Sequence, residues 1–240
     1  MNEKEFIEEF EKCLEKMQIK FSEEQYNQFY KYMNLLIEWN KKINLTAIIE
    51  PKEIILKHFV DSLTIAKYIE ENKKVADVGT GAGFPGVPLK IMYPQLKVTL
   101  LDSLNKRLNF LNQVIEKLGL ENITTVHYRA EDGARKAELR EQFDCVVSRA
   151  VANMSTLCEY CLPYAKVGGC FVAYKSGNAE EEIDKAKKAV HLLGGVKENA
   201  IYFDLPDSDI GRSLVIVKKK EPTSKKYPRK AGLPSKEPLQ

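Results

Sequence analysis

The sequence predicts an α/β fold: a seven-stranded, mostly parallel sheet with its last strand antiparallel, covered by helices on both faces and preceded by a helical cap. Three observations lead there. The first 72 residues carry helical periodicity and no strand-like alternation. From Lys74 onward, short apolar runs alternate with helical faces, as in an open parallel sheet buried on both sides. The first of those runs leads straight into the glycine-rich turn of "VADVGTGAGFPGVPL", Val75 to Leu89.

In the cap, Phe6, Phe10, Cys13, Leu14 and Met17 recur at helical steps. Ser22 and Gln25 form a capping box opening a second helix, whose expected buried stripe is Tyr26, Phe29, Tyr30, Met33, Leu36 and Ile37. A further helical stretch is expected from about His58 to Glu70. Strands follow at Val75–Val78, Val98–Leu101, Ile123–His127 and Phe143–Val147. A helix from about Asn153 precedes a fifth strand, "CFVAYK". Leu108, Leu111, Val114, Ile115 and Leu118 make a helical face stopped by Gly119. Asn178 is placed to cap a helix bearing Ile183, Ala186, Val190 and Leu193. The last two strands, near Val196–Phe203 and Ser213–Val217, have only "DLPDSDIGR" between them, which suits an antiparallel return. The expected division is a cap over 1–72, a ligand-binding domain over 73–220 and a basic tail over 221–240.

Composition excludes several classes. No run approaches the ~18 apolar residues of a membrane span, and the Glu- and Lys-rich N-terminus lacks an apolar signal core, so a cytoplasmic location is expected. Five scattered cysteines argue against a disulfide framework, and the lone pair Cys158/Cys161 has no further ligands, so no metal is expected. A formal charge of +3 hides a gradient: eight Lys/Arg against two Glu from Lys218 to the end, but eight Glu against four Lys from Met1 to Glu24. A basic end fits a polyanionic partner; a merely solubilising tail is the plainer alternative.

The glycine turn can be parsed in two ways. Gly81-x-Gly83-x-x-Gly86 matches a dinucleotide fingerprint, whereas Asp77-x-Gly79-x-Gly81-x-Gly83 suggests S-adenosylmethionine. Either ligand would be gripped at its ribose by Asp102, 25 residues after Asp77. Three features favour the methyl donor. The Asp77 carboxylate is expected to repel a pyrophosphate and attract a sulfonium. Phe84 and Pro85 crowd a turn that would have to offer bare amides to phosphate. Nothing after Val217 is long enough for the substrate domain of a dehydrogenase. The antiparallel finish also resembles the class I methyltransferase sheet.

The acceptor is read by elimination. Strand four ends in Ser148-Arg149-Ala150-Val151, not in the Asn/Asp-Pro-Pro-aromatic run usual for exocyclic base amines. No cysteine is well placed as the nucleophile that carbon-5 methylation of pyrimidines needs, and no histidine closely follows strand four to activate a hydroxyl. An atom with a free lone pair needs none of these. Guanine N7 is such an atom; a small amine or thiol fits equally well.

Six stretches add a more specific signal: "WNKKINLT", "HFVDSL", "DVGTGAGFPGVPL", "LLDSLNKRLNFL", "FDCVVSRAVA" and "YKSG". Together with the tail "YPRKAGLPSKEPL" they resemble the bacterial glucose-inhibited division protein B family, also called RsmG, over nearly the whole chain. The resemblance implies a Rossmann-like class I fold and S-adenosylmethionine-dependent methylation of guanine N7 in the decoding-region loop of 16S rRNA, with that RNA or the small ribosomal subunit as partner and a monomeric enzyme. It implies that Gly79, Gly81 and Phe84 form the donor loop beside Asp77. Asp102 would take the ribose, and Ala130 and Glu131 the adenine. Arg149 would line the methionine end, with Arg129 and Lys175 holding the guanine or a phosphate. Lys41, Lys42, Lys225, Lys226, Arg229 and Lys230 are the expected RNA contacts.

Plainer roles compete with several of these. Asp102 can cap the helix after it, and Arg149 can pair with Asp77 or Asp144. His58 and Asp61 suit a structural hydrogen bond better than catalysis. The Tyr26–Met33 stripe and Trp39 read as core and anchor, not as a stacking platform. A small-molecule methyltransferase and a non-catalytic RNA-binding module remain as alternative functions.

Overall fold

The computed structural model describes residues 1–70, 73–149 and 152–240. The cap boundary expected at residue 72 and the Ala150–Val151 pair lie outside the described residues. The chain opens with helices α1 (Glu3–Met17) and α2 (Glu23–Ile43), each started by a capping box, Asn2 with Glu5 and Ser22 with Gln25. The buried face of α2 is Tyr26, Phe29, Tyr32, Met33 and Leu36. Tyr32 thus replaces the expected Tyr30, and Ile37 is only half-buried. The reason is a polar handle: the Tyr32 hydroxyl donates to the carbonyl of Ala82 in the glycine turn, which lets a tyrosine sit fully inside. Trp39 packs on Phe110, in line with its reading as an anchor.

The next helical segment starts earlier than expected, at α3 (Pro51–Ile54), and continues through a π-helical turn (Ile55–Val60) into α4 (Asp61–Leu63). A single 3₁₀ turn, Ala66–Tyr68, follows.

The sheet then alternates with helices: β1 (Lys74–Val78), α5 (Gly86–Met92), β2 (Lys97–Asp102), α6 (Asn105–Leu118), β3 (Ile123–His127), α7 (Ala130–Gly133), β4 (Phe143–Arg149), α8 (Met154–Cys161) and β5 (Ala165–Ser176). After α9 (Glu180–Lys185) and α10 (Lys187–Leu192) come β6 (Gly195–Asp204) and β7 (Gly211–Lys219). The strand order is β3-β2-β1-β4-β5-β7-β6, and β7 runs antiparallel to both β5 and β6. Winding reverses between β1 and β4, which opens a crevice beyond their carboxyl ends.

The two faces of the sheet carry separate cores. One joins α1, α2 and the π-helical turn to β1 and β2 through Phe6, Phe29, Phe59, Val75, Val98 and Phe110. The other packs α8 to α10 on Val146, Phe171 and Val217, and takes in Tyr227 from the C-terminal segment. That segment ends in a short helix, α11 (Leu233–Lys236); Pro234 sits in its first turn, where a missing N–H costs nothing.

Among the described residues, no helix is long and apolar enough to cross a membrane, and no group of three or more His, Cys, Asp or Glu could hold a metal ion.

Candidate active site

The turn after β1 is shaped by backbone that only glycine adopts easily. Gly79, Gly81 and Gly83 have φ of 74°, 61° and 100°. At Gly83 space matters as well: a Cβ would fall 2.5 Å from the Tyr32 hydroxyl and 2.8 Å from Leu111. The turn is pinned from below by Asp77, whose Oδ2 accepts from Thr80 Oγ1 at 2.7 Å and from the amide of Gly86 at 2.8 Å. Asp77 is fully buried and does not line the crevice, so the expected contact between its carboxylate and a ligand is not made. Burial pushes its carboxyl up to about 6, against the two hydrogen bonds that favour the ionised form.

Above the turn lies a crevice of about 640 Å³. It is lined by Gly79, Gly81, Phe84, Asp102, Arg129, Ala130, Glu131 and Arg149, together with His58, Thr46 and Tyr160. Asp102 faces the crevice and does not cap α6, whose N-cap is Leu104 without a side-chain cap. Its Oδ1 accepts from the amide of Leu104 at 2.9 Å, tying it to the start of α6, while Oδ2 accepts from the amide of Gly81 at 3.0 Å and pairs with Arg107 at 3.2 Å. A carboxylate therefore already holds an amide that a pyrophosphate would need, and its charge opposes an anion there. The same carboxylate at the end of the second strand suits ribose hydroxyls. Glu131 adds a second, nearly buried carboxylate. Positive-φ glycines, two carboxylates and an aromatic ring fit a cationic nucleoside such as S-adenosylmethionine.

At the opposite end Arg149 leaves β4 and lies over the Phe84 ring, 5.1 Å from its centroid. Its partner is neither Asp77 nor Asp144. Nη1 pairs with Asp61 Oδ2 at 3.1 Å, and Nη2 donates to His58 Nδ1 at 3.2 Å. Asp61 also takes Arg212 Nε on its other oxygen at 3.2 Å. His58 stacks on Phe84 with ring centroids 4.4 Å apart and 9° between planes. Since Nδ1 accepts from Arg149, Nε2 carries the proton and donates to Thr46 Oγ1 at 2.9 Å. Burial, and then Arg149, lower the His58 pKa to about 3. Both imidazole nitrogens are engaged. His58 and Asp61 do not bond each other, as the sequence had suggested; both hold Arg149. Their three-residue spacing was visible, but the partner across the crevice was not.

Lys175 does not reach the crevice. It pairs with Glu182 at 2.6 Å and donates to the carbonyl of Ala152 at 3.1 Å. Arg129 is exposed at the crevice rim. Lys41, Lys42, Lys225, Lys226 and Lys230 are exposed, with Lys42 paired to Glu38 and Lys226 over the Tyr227 ring. Arg229 instead turns inwards onto the buried Glu159, because that carboxylate needs a counter-charge. The cysteines stay free, and burial raises the thiols of Cys158, to about 12, and of Cys161, far from thiolate chemistry.

The family model for rRNA small subunit methyltransferase G (GidB) matches residues 25–210. The chain belongs to that family. It is 56% identical to ribosomal RNA small subunit methyltransferase G of Clostridium tetani over 223 residues, covering 92% of this chain and 93% of the relative. The corresponding protein of Clostridium botulinum is 51% identical over 237 residues, covering 98% and 99%. Among solved structures, M. jannaschii TYW2 in complex with AdoMet superposes with a TM-score of 0.54 at 15% identity, covering 66% of this chain and 74% of that one. A putative transferase of Pyrococcus horikoshii gives 0.54 at 16% identity, covering 67% and 63%. These likenesses show the class I methyltransferase fold. Family membership makes the methyl donor S-adenosylmethionine and the enzyme a methyltransferase of small-subunit ribosomal RNA.

Proposed function

We propose that the protein transfers the methyl group of S-adenosylmethionine to N7 of a guanine in the decoding-region loop of 16S rRNA. One observation at the site supports the choice of atom. The imidazole lining the acceptor end of the crevice has no free lone pair, since Nδ1 serves Arg149 and the Nε2 proton serves Thr46. A hydroxyl acceptor would want a base at that place. Guanine N7 brings its own lone pair and asks only for positioning and the exclusion of water.

In this reading the glycine turn, Asp102, Ala130 and Glu131 hold the nucleoside of the donor. When bound, the sulfonium supplies an activated methyl group for in-line displacement. Asp77 shapes the turn from beneath. Arg149 cannot stabilise the positive charge that the product base gains, so it serves an oxygen: the donor carboxylate or guanine O6. The His58–Phe84–Asp61 frame fixes its direction. Arg129 at the rim suits an RNA phosphate. The cap over 1–72 and the exposed lysines flank the donor domain over 73–220 and give the RNA a surface. The protein acts as a monomer and without a metal.

Labelled donor and 16S rRNA, or small subunits, from cells lacking the activity test this reading. Label should appear at one guanine, and that site should become cleavable by the borohydride and aniline chemistry that reports N7 methylation. Label confined to a protein-free small-molecule extract would defeat the RNA assignment.

A further inference from the structure

We propose that the C-terminal segment Tyr227–Lys236 forms the adenosine-side wall of the donor crevice, and that Gly232 positions Glu131 for the ligand. The inference rests on the reading that this crevice holds S-adenosylmethionine.

A polar, proline-bearing basic end is expected to trail in solvent. Here it is clasped along its length. Arg140 donates to the carbonyls of Thr223 at 2.7 Å and Tyr227 at 3.0 Å, and Arg135 to that of Pro228. Thr156 Oγ1 donates to the carbonyl of Pro234 at 3.0 Å. Arg229 gives Glu159 its backbone amide at 2.7 Å, Nε at 3.0 Å and Nη2 at 2.7 Å. Glu159 is fully buried on α8, and among the described residues Arg229 is its only basic partner. A buried carboxylate without a partner is costly, so α8 is built to receive this segment.

What the clasp holds is a piece of the crevice. Gly232 and Ser235 line it on the same side as Ala130, Glu131 and Tyr160. The amide of Gly232 donates to Glu131 Oε1 at 2.7 Å. No other hydrogen bond to the Glu131 carboxylate is found among the described residues. With Oε1 held, Oε2 is the oxygen left for the nucleoside, and Gly232 sets where it points. Gly232 has φ of 83°, yet a Cβ there would meet nothing within 4 Å. Glycine is required for the conformation that aims the amide and not for space. The wall also lies beyond residue 210, where the family-model match ends.

Calorimetry with S-adenosylhomocysteine decides the matter. The proteins compared are the full chain, Gly232→Ala, Gly232→Asn, and a chain ending after Lys226 that carries Glu159→Gln so that no buried charge is left unpaired. Gly232→Ala should weaken binding about tenfold, the strain of an alanine in the left-handed region, while RNA affinity stays as it was. Gly232→Asn, which tolerates that region, should bind more tightly than Gly232→Ala. The shortened chain should bind more weakly than either. Equal affinity across the set overturns the inference and leaves the donor reading standing; an absence of binding to the full chain defeats the donor reading itself. Should the shortened chain fail to fold, the Gly232 pair decides alone.

Discussion

Asp61 bridges two guanidinium groups: one oxygen takes Arg149 at 3.1 Å and the other Arg212 at 3.2 Å, with its side chain only 5% exposed. Asp61 thereby joins the start of α4 to the ends of β4 and β7, and it is the group that keeps Arg149 over Phe84. Removing it strands two half-buried cations. Asp61→Ala should cost about 3–5 kcal/mol of stability in denaturant titrations. At temperatures where the variant stays folded, methylation should fall by about 10²-fold as Arg149 loses its positioning. Donor affinity should fall less, because the nucleoside end is untouched. A variant that unfolds early but turns over normally would show that Asp61 serves the fold alone.

Asp102 is the counterpart at the nucleoside end. It gathers the Gly81 and Leu104 amides and Arg107 while facing the crevice. Hydrogen bonds to a charged group are each worth about 1.5–3 kcal/mol. Asp102→Ala should therefore raise the dissociation constant for S-adenosylhomocysteine by about 10- to 100-fold. It should also loosen the turn, seen as faster hydrogen exchange at Gly81. Unaltered affinity would restrict Asp102 to holding the glycine turn against the segment that leads into α6.

The sheet was legible because its signals are local. Short apolar runs, the Gly119 stop and the positive-φ glycines each act within a few residues, and β3 matches its expected limits, Ile123–His127. The contents of the crevice were legible only in part. Asp77 sits correctly in the motif, but sequence spacing does not tell a carboxylate under a turn from one above it. Lys175 and Arg229 carry the right charge for RNA, yet Glu182 and Glu159 claim them, Glu159 from seventy positions away. Tyr32 displaced Tyr30 because of one carbonyl fifty positions away. Each miss is a tertiary partner that periodicity cannot reveal.

The pH dependence of stability should carry the mark of His58. Its pKa drops from 6.5 to about 3 on folding, so below about pH 6.5 the unfolded chain takes up a proton that the folded one refuses. Stability from this group is present above pH 6.5 and is lost as pH falls, by about 1.4 kcal/mol per pH unit. Asp77 works the other way. Its pKa rises from 3.8 to about 6, so its contribution is present at low pH and is lost as pH rises through 6. Urea titrations between about pH 7 and about pH 5 on wild type and His58→Gln separate the two. The wild type should lose its advantage over the variant as pH falls; parallel curves would mean that His58 titrates normally.

RNA binding should depend on salt, and the tail's cations should not contribute equally. Lys225, Lys226 and Lys230 are exposed and free to release counterions from RNA phosphates, whereas Arg229 spends its charge on Glu159. Each cation withdrawn from a phosphate of single-stranded RNA should lower the slope of log affinity against log salt by about 0.7. Lys225→Ala with Lys226→Ala should therefore flatten the slope by about 1.4 if both touch phosphate. The thermal midpoint should hold, since neither side chain is buried. Arg229→Ala should do the reverse: it uncovers a buried carboxylate, lowers the midpoint and leaves the slope near that of the wild type. Filter binding over a salt series, paired with thermal melts, checks both halves. A much flatter slope in Arg229→Ala would mean that the arginine leaves Glu159 for phosphate when RNA arrives, and that the clasp opens on binding.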